Sequence, residues 1–335
     1  MCTLTHLSKP VRVVLRTCPM NFTLLPLRSL ACVVLAALLT ALLAACSPVK
    51  IVNGLVPTST YRFEGDVAYG GAARQRLDIY KPLASAMAAN AARPLVIFFY
   101  GGTWSSGDRA MYKFVGEALA ARGVTAVIPD YGLSPDFRYP VFVQDSALAT
   151  KWALDNAARL GADPKQVYVM GHSSGGYNAA MVALDDRWLA DVGASPKQLA
   201  GWIALAGPFD FLPPIDPQVK AAFNWPGTPP DSQPIAHVSA AAPRTLLIAT
   251  TKDKLVDYVQ NTEQMASRLR AAGVPVQLRE FNDLSHITLI GAVAKPLQWL
   301  GGPVLPPIME FVGLSAAPAV SAASAKAGAR QASGN

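Results

Sequence analysis

No cysteine follows Cys46. All four cysteines of the chain, Cys2, Cys18, Cys32 and Cys46, fall in its first 46 residues. The remainder can therefore form no disulfide, offer no thiolate to a metal and use no thiol as a nucleophile. Its stability must come from a buried core, which a chain of 335 residues with 51% hydrophobic content can build. Histidine is almost as scarce. After His6 only His172, His237 and His286 remain, and their wide spacing matches no zinc-binding pattern. Neither a metal nor an organic cofactor is implied. Acidic residues are absent from the first 45 positions, which carry Lys9, Arg12, Arg16 and Arg28. Setting those four bases aside lowers the formal charge from +7 to +3. The basic balance thus belongs mostly to the leading segment. With no basic run carrying interleaved aromatics, nucleic acid is not an expected partner.

That leading segment holds an apolar run from Leu30 to Ala45, broken only by Thr40. A basic flank, a short apolar run and small residues at its end are the parts of an export signal. The run falls short of the roughly 20 residues a membrane span needs. A transmembrane anchor with an incidental cysteine is the competing reading. Leu43-Ala44-Ala45-Cys46 resembles the lipobox of bacterial lipoproteins. The resemblance implies that residues 1–45 are a lipoprotein signal peptide and that Cys46 is lipidated as the first residue of the mature chain. Ser47, standing where Asp would retain a lipoprotein at the inner membrane, implies the periplasmic side of the outer membrane. Met20 precedes a more ordinary signal length than Met1 does. The protein is expected to be exported and lipid-anchored to the bacterial cell envelope.

Residues 46–60 suit a tether, and 61–313 a single domain. Residues 314–335 are rich in Ala, Ser and Gly and lack the large apolar groups that folding needs, so they are expected to form a disordered tail. Within the domain, strand and helix signals alternate. Tyr61–Tyr69 and Arg76–Tyr80 suggest an opening antiparallel pair. Leu95–Tyr100, Val124–Pro129, Val167–Met170, Trp202–Ala206 and Thr245–Ala249 are short apolar runs, the mark of strands buried on both faces, and Val276–Phe281 is the last strand signal. Helical patterns lie between them, at 110–122, 141–160 and 258–272. The expected class is α/β, with a mostly parallel sheet and helices on both faces. Between Phe211 and Pro243 the pattern fails and eight prolines crowd in. Residues 211–243 are either a surface loop or a cap over a site.

Gly171-His172-Ser173-Ser174-Gly175 follows a buried strand and precedes a helix signal at Tyr177–Leu184. Alone, Gly-x-Ser-x-Gly is a weak match. Between strand and helix it describes a nucleophile elbow, with Ser173 exposed on a sharp turn and a helix N-terminus beside it. A serine hydroxyl needs a base, and the base an orienting acid. His172 adjoins the serine but must point away from the same turn. His237 precedes the fifth apolar run, in the Pro-rich stretch. His286 follows the last strand, where the chain order Ser, Asp, His puts the base. Asp253 lies a short loop beyond Thr245–Ala249. Asp257 starts the next helix and could be its N-cap. Asp210 is a third candidate for the acid. The oxyanion of a tetrahedral intermediate also needs donors. The N–H of Ser174 is one, and the Tyr100-Gly101-Gly102-Thr103-Trp104 turn is placed to supply others.

These residues resemble the hormone-sensitive-lipase and carboxylesterase branch of the α/β-hydrolases, which includes kynurenine formamidases and feruloyl and acetyl esterases. The similar stretches are Tyr100–Trp104, Gly171–Gly175, Lys252-Asp253-Lys254-Leu255-Val256, Pro129–Pro135 and the late histidine, spanning about Phe63 to Pro296. The resemblance implies the α/β-hydrolase fold. It makes Ser173 the nucleophile, Asp253 the acid and His286 the base, with oxyanion donors at Gly102, Thr103 and Ser174. Tyr100 departs from the usual first histidine of the glycine loop, Gly132 from an arginine, and Thr250 from a glycine. The activity implied is hydrolysis of a small-molecule ester through an acyl-enzyme. An amidase or peptidase on the same triad, and a non-catalytic binding lipoprotein with a hydrolase fold, are the alternatives.

Overall fold

The computed structural model describes residues 52–86, 93–294, 297 and 304–314. The expected signal segment, the lipidation site Cys46, most of the tether and the tail lie outside the described residues.

Five neighbouring parallel strands are mostly apolar and buried at every position: β3 Leu95–Phe99, β4 Thr125–Pro129, β5 Val167–His172, β6 Gly201–Leu205 and β7 Thr245–Ala249. A strand with both faces covered has no reason to alternate, so these runs read as unbroken apolar stretches. The opening strand, β1 Tyr61–Ala68, lies at the sheet edge and is buried only at Tyr61, with a bulge between Glu64 and Val67. β2 Arg76–Pro82 pairs antiparallel with both β1 and β4, and β8 Val276–Glu280 closes the far edge. The eight strands run in the order β1-β2-β4-β3-β5-β6-β7-β8, parallel from β4 to β8. This mostly parallel sheet with its helices is the expected α/β-hydrolase architecture.

Most of the helices connect the parallel strands, and two follow the last strand. They are α1 Lys113–Ala120, α2 Val141–Asn156, α3 Ser174–Leu184, α4 Asp186–Asp191, α5 Pro217–Ala222, α6 Gln264–Ala271, α7 His286–Gly291 and α8 Leu305–Phe311. Two of them begin differently from the sequence expectation. The 110–122 pattern opens with a 3-10 turn at Arg109–Tyr112, capped by the Asp108 side chain. The 258–272 pattern opens with a π turn at Val259–Glu263. Amphipathic spacing marks both turns as helical without distinguishing their hydrogen-bond step.

The chain passes from β3 to β4 on one side of the sheet and then crosses to β5 on the other side of β3. Loops after β3 and β5 therefore part from each other, and the crevice at such a reversal is the usual ligand position in an open parallel sheet. Both the Tyr100–Trp104 turn and the Ser173 elbow stand at this crevice. Residues 211–243 hold α5 and two 3-10 turns, Pro230–Ser232 and Pro234–His237. They pack as a solid piece. Phe223 is fully buried, with its ring against Trp104, Tyr139, Phe142, Tyr177 and Phe211.

Candidate active site

β5 runs two residues further than its apolar core suggests, so His172 ends the strand and α3 begins at Ser174. Ser173 alone makes the turn, at φ +55° and ψ −126°, a region non-glycine residues rarely occupy. Strain of this kind persists where surrounding structure holds it. Here the Ser173 N–H donates to the Leu205 carbonyl at 2.9 Å, and its carbonyl accepts from Gly176 and Tyr177. The turn is tight enough that a Cβ on Gly171 would lie 2.0 Å from the Gly175 carbonyl oxygen. Small flanking residues are thus a packing requirement. Ser173 is left half-buried at the mouth of the crevice.

His286 is the first residue of α7. Ser285 caps that helix, its Oγ accepting from the Thr288 N–H while the Thr288 hydroxyl accepts from the Ser285 N–H. The cap sets where the imidazole emerges. Nδ1 of His286 lies 2.7 Å from Oδ2 of Asp253, with the two side chains 5% and 2% exposed. Burial pushes the Asp253 carboxyl up. The hydrogen bond and charge of His286, with the N–H groups of Val256 and Leu255, outweigh it and hold the group below the ordinary carboxylate range. Asp253 is therefore ionised at neutral pH. Asp257 is engaged elsewhere, accepting from the Gln260 N–H at 2.7 Å as a helix-start residue does. Asp210 sits near the same helix through its N–H, which donates to Asn261 Oδ1. His237 lies in the 211–243 segment against the Asp231 carbonyl, at 2.6 Å.

His172 occupies the floor of the site. Its Nε2 is 3.1 Å from the His286 carbonyl oxygen, and the two rings are 4.8 Å apart. Burial first, then the neighbouring His286, depresses its pKa from 6.5 to about 3. A neutral ring bonded to a carbonyl must carry its proton on Nε2. His172 thus holds the backbone at His286 and stays uncharged.

The turn after β3 is braced by a buried polar network that motif reading missed. Tyr100 stands where the resemblance implies a histidine. Its ring stacks between Tyr131 and Tyr112, at 4.7 and 5.5 Å. Its hydroxyl donates to Asp130 Oδ1 at 2.9 Å and accepts from Arg74 Nη2 at 2.9 Å. Asp130 is paired in turn with Arg109, whose Nε also donates to Asp78 at 3.0 Å. The Tyr131 hydroxyl donates to the Tyr100 carbonyl at 2.7 Å. Beyond this anchor Gly102 adopts φ +141°, and a Cβ there would meet the Ser106 carbonyl oxygen at 2.1 Å. Thr103 and Trp104 follow at φ +56° and +54°. The Gly102 carbonyl accepts from Ser105 and Ser106 and so faces into the loop. Among the described residues, the N–H groups of Gly102, Thr103 and Ser174 have no backbone acceptor. They are free donors at the crevice.

The other departures also have structural uses. The Thr250 hydroxyl donates to the Leu284 carbonyl at 2.6 Å, joining the Asp253 loop to the loop that delivers His286. The Gly132 N–H donates to Asp145 Oδ2 at 2.8 Å, and Phe137 packs over the position where an arginine side chain would start. Among the described residues, no group of three His, Cys, Asp or Glu side chains could hold a metal ion. No described helix is long and apolar enough to cross a membrane.

Comparison with known proteins agrees with this frame. The chain is 38% identical over 104 residues to the carboxylesterase NlhH of Mycobacterium tuberculosis, covering 31% of this chain and 32% of that one. It is 25% identical over 231 residues to a kynurenine formamidase of Danio rerio, covering 67% of this chain and 75% of the relative. The chain spans less than half the length of several curated relatives it matches, between 32% and 43%. Esterase 2 of Thermogutta terrifontis superposes with a TM-score of 0.61 at 23% identity, over 78% of this chain and 98% of that one. That likeness establishes the fold. The BD-FAE family model matches residues 77–269, more than half the chain and inclusive of Ser173 and Asp253, and the protein belongs to the BD-FAE family.

Proposed function

We propose that the protein is a serine carboxylic-ester hydrolase acting through an acyl-enzyme on Ser173, with His286 as base and Asp253 as acid. The observation that carries the reading is the buried 2.7 Å contact between Asp253 and His286 Nδ1, on the sheet edge that also bears the strained Ser173 turn. The ionised carboxylate accepts a hydrogen bond from Nδ1–H, which keeps the proton on Nδ1 and leaves the Nε2 lone pair free to take the proton of Ser173 as its oxygen attacks the ester carbonyl. The carbonyl oxygen becomes an oxyanion, received by the N–H groups of Gly102, Thr103 and Ser174. His286 then protonates the departing alcohol. Water, deprotonated by the same imidazole, releases the acid and restores Ser173. The substrate class is a small-molecule ester, in keeping with the carboxylesterases among the relatives.

A fluorophosphonate probe should label the full chain covalently, and Ser173→Ala should lose both the label and turnover of p-nitrophenyl esters. A full chain that takes no label would sink the enzyme reading and leave a binding protein. One finding favours a second substrate class on the same residues: of the two curated sequences quoted above, the one matched over the longer stretch is a formamidase, whose name denotes an amide substrate. Matched ester and amide substrates, compared by kcat/KM, separate the two.

Outside the described residues, the reading of the leader stands as part of the proposal. Residues 1–45 direct export, Cys46 carries lipid, and the domain is held at the cell envelope, on the periplasmic side of the outer membrane. Metabolic labelling with a clickable fatty acid, lost in Cys46→Ala, tests it.

A further inference from the structure

We propose that the site-bearing end of the sheet docks on a lipid surface, so that Ser173 is presented to esters held in a membrane. The proposal rests on the lipid-anchor and ester-hydrolase readings above and adds an orientation to them.

Two independent observations converge on that end. The first is a rim of exposed apolar side chains. Among the described residues Ile215 is 91% exposed, Leu255 71%, Ile287 65% and Val259 62%. Ile215 lies in the connection after β6, Leu255 and Val259 in that after β7, and Ile287 in that after β8. Those three strands are adjacent and parallel to β5, so their carboxyl ends, like that of β5 with Ser173, share one edge of the sheet. Hydrogen bonds tie the connections together there: Asp253 with His286, Thr250 with Leu284, and Asn261 with the N–H groups of Phe209 and Asp210. Apolar side chains gathered beside a reacting serine are costly in water and mark an interaction face.

The second observation is where the chain enters the domain. Asn53 is anchored at the start of α1. Its Nδ2 donates to the carbonyls of Ala110 and Met111, and its Oδ1 accepts from the Phe114 N–H. α1 follows β3, so its first turn lies at the carboxyl end of the parallel strands. The neighbouring Arg109 is paired there with Asp130, just beyond β4. The chain thus comes in at the end of the sheet that carries the site. From Cys46 to Asn53 is seven residues, which reach at most about 25 Å when fully extended. A lipid on Cys46 therefore keeps this end close to the bilayer, where four apolar side chains can add to the anchor.

The test exploits the absence of cysteine after Cys46. The full chain is expressed in a lipoprotein-processing bacterium. The mature protein is reconstituted into phosphatidylethanolamine and phosphatidylglycerol vesicles, with a nitroxide at Ile215→Cys, Leu255→Cys or Val259→Cys in separate variants. Phe63→Cys, exposed on the far edge strand β1, is the reference. Docking predicts that rim labels collide several-fold less with a water-borne nickel chelate, and more with oxygen, than the Phe63 label does. Rim labels as open to the chelate as the reference overturn the proposal while leaving the anchor and the chemistry intact. A lipidated Cys46 has no free thiol. Nitroxide uptake by the wild-type mature chain would therefore remove the tether, and the proposal would fall with its premise. Fluorophosphonate labelling of each variant reports the ester-hydrolase reading separately.

Discussion

Asp253 and Asp257 share one loop, and only Asp253 reaches His286. Asp253→Asn should lower kcat on p-nitrophenyl butyrate about 10⁴-fold, since the amide can hold the imidazole in the wrong tautomer. Asp257→Asn should leave kcat near wild type, because asparagine caps a helix start as well as aspartate does. The opposite pattern would reassign the acid. His172 makes a separate claim through pH. Its folded pKa is about 3 against 6.5 unfolded, so between those values the unfolded chain binds the extra proton. Stability is complete above about pH 6.5 and falls as the pH drops, with His172 contributing a slope of about 1.4 kcal/mol per pH unit. Urea unfolding at pH 7 and pH 5 should show that His172→Gln loses stability at pH 7 but is less sensitive to acid. An unchanged pH slope would mean that His172 is not the buried neutral group described. The elbow position of Ser173 and the place of His286 after the last strand were legible from motif and chain order. The task of His172 was not, because a neighbour in sequence gives no sign that its ring lies under a backbone 114 residues away.

At the scale of elements, the 211–243 segment changes most between sequence and structure. Its prolines suggested either a loose loop or a cap, with no pattern to choose between them. Phe223 settles its packing: the ring is buried among five aromatic neighbours, from three other segments and its own. Phe223→Ala should therefore cost about 3–5 kcal/mol of unfolding free energy, read from the urea midpoint at constant slope. A cost under about 1 kcal/mol would show that the segment moves independently of the sheet. The aromatic contacts place Phe211 and Phe223 beside Trp104, so the segment also walls the Tyr100–Trp104 turn. The five central strands were legible because complete burial leaves apolar runs. The brace at Tyr100 was not, since Arg74, Asp78, Arg109 and Asp130 are scattered and share no motif.

At the scale of the whole molecule, stability rests on the core alone. A reductant should leave the thermal unfolding of the mature chain unchanged, because no cysteine follows Cys46. A shift in Tm on adding dithiothreitol would show a thiol bridge that the sequence denies. The sheet order explains why His172 and His286, 114 positions apart, meet. Strands β5, β7 and β8 lie near one another, and each delivers its side chain from its carboxyl end.

Local chemistry was enough to determine the class of fold and to single out Ser173 and His286 as candidates. Strand burial, turn size and chain order are written in short stretches of sequence, and each reflects forces that act over a few residues. The choice of Asp253 over its neighbour, the neutral His172 floor, the Tyr100 brace and the gathering of Ile215, Leu255, Val259 and Ile287 on one edge were decided only by tertiary structure. They depend on which strands lie side by side, and that arrangement is set by burying the whole sheet at once.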